Sequence, residues 1–287
     1  MEYSYFPGCT LHNQSQSFRD STISTARELK IELEELPDWY CCGAVYPLRS
    51  EDIMSLLSST RNLVGAKKED KDLVTLCSAC YQVLKRTNYL ILNDAEKREK
   101  LNSFLEEKYD GSTKVLHFLE VIRKDVGWEG LKNKVKTSMT GLRVAPYYGC
   151  LLLRPHKELA FDHPENPTIF ENFLKSLGCE AVDFPYKTEC CGAYLGITEE
   201  IVINSAVLKI LQGANKRGID VLITSCPLCL YNLDVGQNEL MKSGNLLKPV
   251  PILYFTQLLA LALGLGVEVC HFEEHLINPL PTLERIR

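Results

Sequence analysis

Apolar residues come in short runs, each closed by turn residues and followed by a stretch where apolar positions recur every three or four places. Tyr3 to Phe6 reads as a strand that stops at Pro7-Gly8, Ser17 to Lys30 as a helix, and Ile31 to Leu36 as a second strand. Cys41-Cys42 falls in the next loop. A helix is expected to start at Ser50, whose hydroxyl and the following Glu51 and Asp52 suit a helix N-terminus. Leu73 to Leu76 then reads as a strand carrying Cys77 at its end. Farther on, the same reading gives a strand over Arg143 to Tyr147, a helix over Thr168 to Leu177, a strand over Glu180 to Phe184, a helix capped by Thr198, and a strand over Val221 to Thr224. Strands alternating with helices predict an α/β protein with mainly parallel strands flanked by helices. The uncharged run from Pro249 to Val267 approaches the length of a bilayer span, but its apolar positions follow the i, i+3, i+4, i+7 spacing of a buried or partner-facing helix. No membrane span is expected.

The pattern repeats. Cys9, Cys41-Cys42, Cys77 and Cys80 are matched by Cys150, Cys190-Cys191, Cys226 and Cys229, with 34 residues between Cys42 and Cys77 and 34 between Cys191 and Cys226. Cys41-Cys42-Gly43-Ala44 recurs as Cys190-Cys191-Gly192-Ala193, Leu29 through Pro37 aligns with Leu177 through Pro185, and Gly65-Ala66 with Gly213-Ala214. Two pseudo-symmetric units from an internal duplication are therefore expected, 1–136 and 137–287, joined through the polar stretch Lys132 to Thr140. The second unit adds a C-terminal helix and tail.

Composition narrows the chemistry. With 287 residues, 45% hydrophobic and 24% charged, the chain has the makings of a large core, and a net charge of −5 with scattered basic residues argues against a nucleic-acid partner. Twelve cysteines are the outlier. Met1 to Tyr5 does not read as a signal peptide, so a cytoplasmic protein with reduced thiols is expected, and metal binding or redox chemistry is favoured over structural disulfides.

Ten of the twelve cysteines fall into two sets of five, each at strand ends or in the following loops, so five sulfurs can converge in each half. Structural zinc takes four tetrahedral ligands, commonly from two Cys-x2-Cys pairs, whereas each half has one such pair, two adjacent cysteines and a distant fifth. A multi-iron cluster accommodates adjacent thiolates more readily. An iron–sulfur centre is favoured; zinc in one or both halves, or a purely thiol site, stays open. A thioredoxin-type reading of Cys77-Ser78-Ala79-Cys80 or Cys226-Pro227-Leu228-Cys229 leaves six repeated cysteines without a role. No ferredoxin-type run of Cys-x2-Cys-x2-Cys is present. Cys179 enters a strand and reads as a buried thiol, and Cys270 with His271 and His275 is one ligand short of a zinc site.

Phe6-Pro7-Gly8-Cys9, Tyr148-Gly149-Cys150, the two Cys-Cys-Gly-Ala sequences and the two closing Cys-x2-Cys pairs resemble the duplicated cysteine-rich CCG domain. Together with the stretches Asp162 to Pro167 and Pro185 to Ala193, they make almost the whole chain similar to the B-subunit family of heterodisulfide reductases, known from methanogenesis. The resemblance implies two noncubane [4Fe-4S] clusters, one on Cys9, Cys41, Cys42, Cys77 and Cys80, the other on Cys150, Cys190, Cys191, Cys226 and Cys229. It implies cleavage of the CoM-S-S-CoB heterodisulfide between them. It also suggests three kinds of partner: a ferredoxin-like C component, a flavin-containing A component, and a donor of the hydrogenase or formate dehydrogenase type. Such a substrate is anionic, so Arg49, Arg154, His156, Lys157 and Lys187 are candidate contacts, with His12 a candidate proton or hydrogen-bond donor beside Cys9. Related domains occur in succinate, glycolate, lactate and glycerol-phosphate oxidoreductases, which leaves two alternatives: a subunit for electron transfer or assembly, or a reductase of a protein-borne or other small disulfide.

Overall fold

The computed structural model describes residues 1–44, 53–193, 200–244 and 248–286. The first sheet holds β1 (Glu2–Phe6), β2 (Glu32–Glu35), β3 (Leu73–Thr75) and β4 (Val115–His117) in the order β2-β1-β3-β4. The second holds β5 (Arg143–Pro146), β6 (Glu180–Ala181), β7 (Val221–Thr224) and β8 (Ile252–Tyr254) in the order β6-β5-β7-β8. Every pairing is parallel, with Phe6 opposite Thr75 and Pro146 opposite Ile223. The expected α/β class and its duplication are therefore present.

The chain leaves β1 through α1 (Gly8–Asn13) and α2 (Gln16–Glu28) to reach β2 on one side, and leaves β3 through the helix Ser78–Asn93 to reach β4 on the other. That reversal makes a crevice at the carboxyl ends of β1 and β3, and the same topology makes one at β5 and β7. Among the helices that follow are α3 (Leu57–Lys68), α4 (Ser78–Asn93), α5 (Ile169–Ser176), α6 (Glu200–Lys216), α7 (Pro227–Lys242) and α8 (Phe255–Ala262). The helix starts expected at Ser50 and Thr198, and Arg49, lie outside the described residues.

Three departures from the sequence pattern have local causes. β6 ends at Ala181 rather than Phe184: after the Val182 N–H donates to the Val144 carbonyl at 2.9 Å the ladder stops, and farther on the Lys187 carbonyl accepts from the Tyr148 and Gly149 N–H groups at 2.9 and 3.1 Å. β4 and β8 are three residues each, too short to carry a period. The uncharged run after Pro249 is not one helix: it contains β8 and the eight-residue α8, both buried throughout, and ends in a mostly exposed turn at 264–267. The division falls at Tyr254, whose backbone N–H donates to the Gln257 side chain at 2.8 Å, as that of His117 does to Glu120 at the end of β4. Among the described residues no helix is long and apolar enough to cross a membrane.

One aromatic cluster runs through both repeats. The Phe255 ring lies 6.1 Å from Phe18, 5.9 Å from His117 and 6.4 Å from Phe118 of the first repeat, and 5.7 Å from Phe170 and Phe173 of the second. Phe18 stacks on Tyr254 at 4.1 Å, and Ser21 and Thr256 share a buried hydrogen bond of 2.7 Å. A second, smaller core of Phe184, Val207, Leu211, Leu222 and Leu233 lies within the second repeat. The Lys132 to Thr140 stretch is tied down as well: Lys132 to Lys134 finish a helix, and the Lys136 and Thr137 N–H groups donate to the Ala262 carbonyl at 2.8 and 3.0 Å.

Because Phe255 packs on both repeats, Phe255→Ala is expected to cost about 3–5 kcal/mol. Urea denaturation followed by fluorescence and circular dichroism should show one coincident transition moved to lower denaturant. Two separated transitions would show that the repeats unfold independently.

Candidate functional site

The crevice of each sheet is where the cysteines gather. Cys77 is the N-cap of α4 with Cys80 in its first turn, and Cys226 and Cys229 take the same places at α7, where Pro227 opens the helix. A helix start presents free backbone N–H groups there. Cys9 follows β1 in α1, and Cys150 follows β5.

The Cys-Cys-Gly-Ala turn has a readable purpose. Gly43 and Gly192 have φ of +86° and +83°, the left-handed region that favours glycine. This turns the Gly43 N–H onto the Cys41 sulfur at 3.5 Å and the Gly192 N–H onto Cys190 at 3.3 Å. The next N–H groups, of Ala44 and Ala193, hydrogen-bond Cys42 and Cys191. Each turn is thus a small nest of backbone donors around two adjacent sulfurs. Gly8 and Gly149, at φ of +72° and +65°, serve differently: a Cβ on Gly8 would sit 2.9 Å from the Cys80 sulfur, and one on Gly149 3.1 Å from Cys229.

None of the twelve cysteines forms a disulfide. In the first half the sulfurs of Cys9 and Cys41 are 3.6 Å apart and those of Cys42 and Cys80 3.3 Å, and Cys77 is hydrogen-bonded to Cys80. In the second, Cys191 and Cys229 are 3.6 Å apart, Cys226 bonds to Cys229, and Cys150 bonds to Cys190. Within each pair one thiol donates and the other accepts. Cys190 is pulled down to about 6 by its hydrogen bond with Cys150, and Cys42 and Cys191 are lowered by theirs with Cys80 and Cys229, which rise in turn. Among the described residues no three His, Cys, Asp or Glu side chains take the arrangement of a single-ion site. The donor set is soft, purely sulfur and supplied with backbone N–H groups. These residues fit a thiolate-held iron–sulfur centre.

The other candidates divide. His12 is exposed one turn beyond Cys9, its ring edge-to-face with Trp39 at 5.5 Å. His156 and Lys157 are exposed. Arg154 is half-buried, and its guanidinium donates to the Thr188 carbonyl and the Glu165 carboxylate, each at 3.3 Å. Lys187 does not face solvent. Its ammonium is buried on Glu171 at 2.5 Å and on the Pro167 carbonyl at 3.2 Å, while the other Glu171 oxygen accepts from the Tyr148 hydroxyl. That network fixes the turn ahead of Cys150, a role the sequence hides because Glu171 and Tyr148 have no ionic signature in a repeat. Cys179 is a buried thiol pushed up to about 12 by desolvation. Cys270, His271 and His275 do not converge: the Cys270 thiol and His275 engage Gln257, whereas His271 turns to Asp20 at 2.9 Å and Glu273 at 3.1 Å.

Sequence reasoning missed the groups that hold the Cys-Cys carbonyls. Ser59 of α3 donates to the Cys42 carbonyl at 3.4 Å, and Asn232 of α7 to the Cys191 carbonyl. The two come from different helices, so the repeat carries no signal for them.

A family model described as a cysteine-rich domain (CCG) matches the chain twice, over residues 3–85 and 144–234. The chain is 33% identical to the 8-methylmenaquinol:fumarate reductase membrane anchor subunit of Wolinella succinogenes, over 96% of this chain and 97% of that one. It is 30% identical to the B subunit of the ferredoxin/F(420)H(2)-dependent CoB-CoM heterodisulfide reductase of Methanosarcina acetivorans, over 99% and 96%. A solved structure of a hypothetical protein from Helicobacter pylori shares the fold, with a TM-score of 0.72 at 16% identity; the match covers 96% of this chain and 52% of that one.

Two substitutions test the site. Gly8→Ala brings a Cβ against the Cys80 sulfur and adds roughly 1–2 kcal/mol of left-handed strain, so anaerobically purified protein should lose about half of any metal it binds, read by elemental analysis; full metal content would show that the close passage is not required. Lys187→Met leaves Glu171 buried without its cation, at an expected cost of about 3 kcal/mol in urea unfolding, partly recovered by adding Glu171→Gln.

Proposed function

Because the chain belongs to the family of duplicated cysteine-rich CCG domains, we propose that it is the disulfide-cleaving B subunit of a heterodisulfide reductase, an oxidoreductase acting on the CoM-S-S-CoB heterodisulfide or a related disulfide. The observation that carries the reading is two complete sets of five cysteines, each at the switch-point crevice of its own sheet. Cys9, Cys41, Cys42, Cys77 and Cys80 hold one noncubane [4Fe-4S] cluster, and Cys150, Cys190, Cys191, Cys226 and Cys229 the other, with 1–136 and 137–287 as the two cluster-bearing units. When bound, the clusters supply the two electrons, one each, that a disulfide needs to become two thiols; two protons complete the balance.

The chain's own residues arrange that chemistry. The Gly43, Ala44, Gly192 and Ala193 N–H groups hold the adjacent sulfurs and tune the potential of what they bind. The exposed His12 and His156 and the half-buried Arg154 receive the anionic groups of the substrate, and His12 delivers a proton beside Cys9. Electrons arrive one at a time from a ferredoxin-like C component, fed by a flavin-containing A component with a hydrogenase- or formate-dehydrogenase-type donor, and the complex works in the cytoplasm.

A second reading has its own support. Identity of 33% to a protein named as a fumarate reductase membrane anchor subunit favours a role in carrying clusters and passing electrons within a different oxidoreductase.

Anaerobic purification separates the two. About eight irons per chain together with viologen-driven release of two thiols from the heterodisulfide is expected. The same iron without thiol release would favour the second reading. A colourless protein that cannot be reconstituted with iron and sulfide would overturn both.

A further inference from the structure

The helix starts of the two crevices touch. Ser78, directly after Cys77, donates its backbone N–H to the carbonyl of Ser225, directly before Cys226, at 3.1 Å. The two hydroxyls are also hydrogen-bonded, at 2.8 Å, and both serines are buried. From the Cys77 sulfur to the Cys226 sulfur the path is therefore covalent except for a single hydrogen bond, in a place where water does not compete for it.

The contact is not symmetric, although the repeat is. The counterpart of Ser78 is Pro227, which has no N–H to give back. The counterpart acceptor, the Leu76 carbonyl, is taken by the ring of buried His117 at 2.8 Å. One direction of a pseudo-twofold pair has been kept and the other closed off.

We propose that the Ser78 N–H to Ser225 carbonyl bond is the electronic bridge through which the two cysteine-held centres share electrons. The inference rests on the two-cluster reading above and deepens it. A one-electron donor docked at one place fills the nearer centre first, whereas cutting a disulfide requires both centres to be loaded. The bridge lets the first centre be oxidised as the second is reduced, with no outside reductant consumed, and leaves the first free to be filled again. Ser78 and Ser225 are positioning residues in this scheme, since they act through Cys77 and Cys226 and touch no substrate.

The repeat itself supplies the test variant. Ser78 is the first residue of α4, where proline is well tolerated, and Cys77 before it is already extended at φ −80° and ψ 125°, as a residue preceding proline must be. Ser78→Pro removes the N–H and copies what the second repeat has at Pro227. α4 stays fastened to the second repeat by Tyr81 to the Leu159 carbonyl at 3.2 Å, Gln82 to the Arg154 carbonyl at 2.8 Å, and Arg86 to Glu158 at 2.5 Å. Ser78→Ala keeps the N–H and removes only the hydroxyl.

The experiment is multifrequency EPR of the full chain, reconstituted with iron and sulfide and doubly reduced, which separates the through-bond exchange between the centres from their through-space dipolar interaction. Iron content is measured first. Loss of exchange in Ser78→Pro, with the dipolar term unchanged and Ser78→Ala within about twofold of the parent protein, is the expected result. Unchanged exchange in Ser78→Pro overturns the bridge. So does a fall in the dipolar term alongside it, which would make the serines a clamp, and so does an equal loss in Ser78→Ala, which would move the path off the backbone. A full complement of iron with any of these three outcomes sinks the bridge alone, whereas a protein that takes up no iron sinks the cluster reading with it.

Discussion

The structure depends on the pairing of β1 with β3 and of β5 with β7. Two parallel strands whose crossovers leave in opposite directions cannot be covered at their carboxyl ends by either connection, so a crevice remains. The segments that leave those strands carry Cys9 and Cys77 in one sheet, Cys150 and Cys226 in the other. The helix starts add positive ends and Cys80 and Cys229, and the Cys-Cys-Gly-Ala turns close over the top with their backbone donors. Sulfurs far apart in the chain are thus presented by backbone whose direction is already set.

Sulfur placement of this kind leaves little tolerance, and glycines with positive φ take up what there is. Gly8 and Gly149 let the main chain pass against a cysteine sulfur, and Gly43 and Gly192 reverse it so that N–H groups face inward. Around that shared frame the halves differ. The second fixes its first cysteine loop with the buried Lys187, Glu171 and Tyr148 network. Where the first ends its last strand on neutral, buried His117, lowered to about 3 by desolvation, the second places Tyr254, whose surroundings include both Cys77 and Cys226. Duplication gave two like sets of cysteines, and later divergence made their surroundings unlike.

The aromatic cluster around Phe255 explains why the two crevices stay in register with each other. Rings from both repeats interlock in T-shaped and tilted pairs, geometries in which aromatic side chains attract. The C-terminal segment then seals the joint, with Glu274 accepting from the Ser17 hydroxyl and N–H, and His271 reaching Asp20. The two cysteine sets are held by separate sheets, so their relative placement depends on this joint.

Spacing and periodicity alone determined the duplication, the α/β class, the two five-cysteine sets and the burial of Cys179. Each of these is written along the chain as a recurring residue or a local period, and local backbone preference is enough to express it. Tertiary structure alone decided that Lys187 spends its charge on Glu171, that the run after Pro249 divides into β8 and α8, that Cys270, His271 and His275 face different partners, and that Ser78 meets Ser225. Those outcomes join residues distant in sequence, and which of them touch is fixed by how helices and sheets close-pack, a three-dimensional constraint that leaves no periodic trace in one dimension.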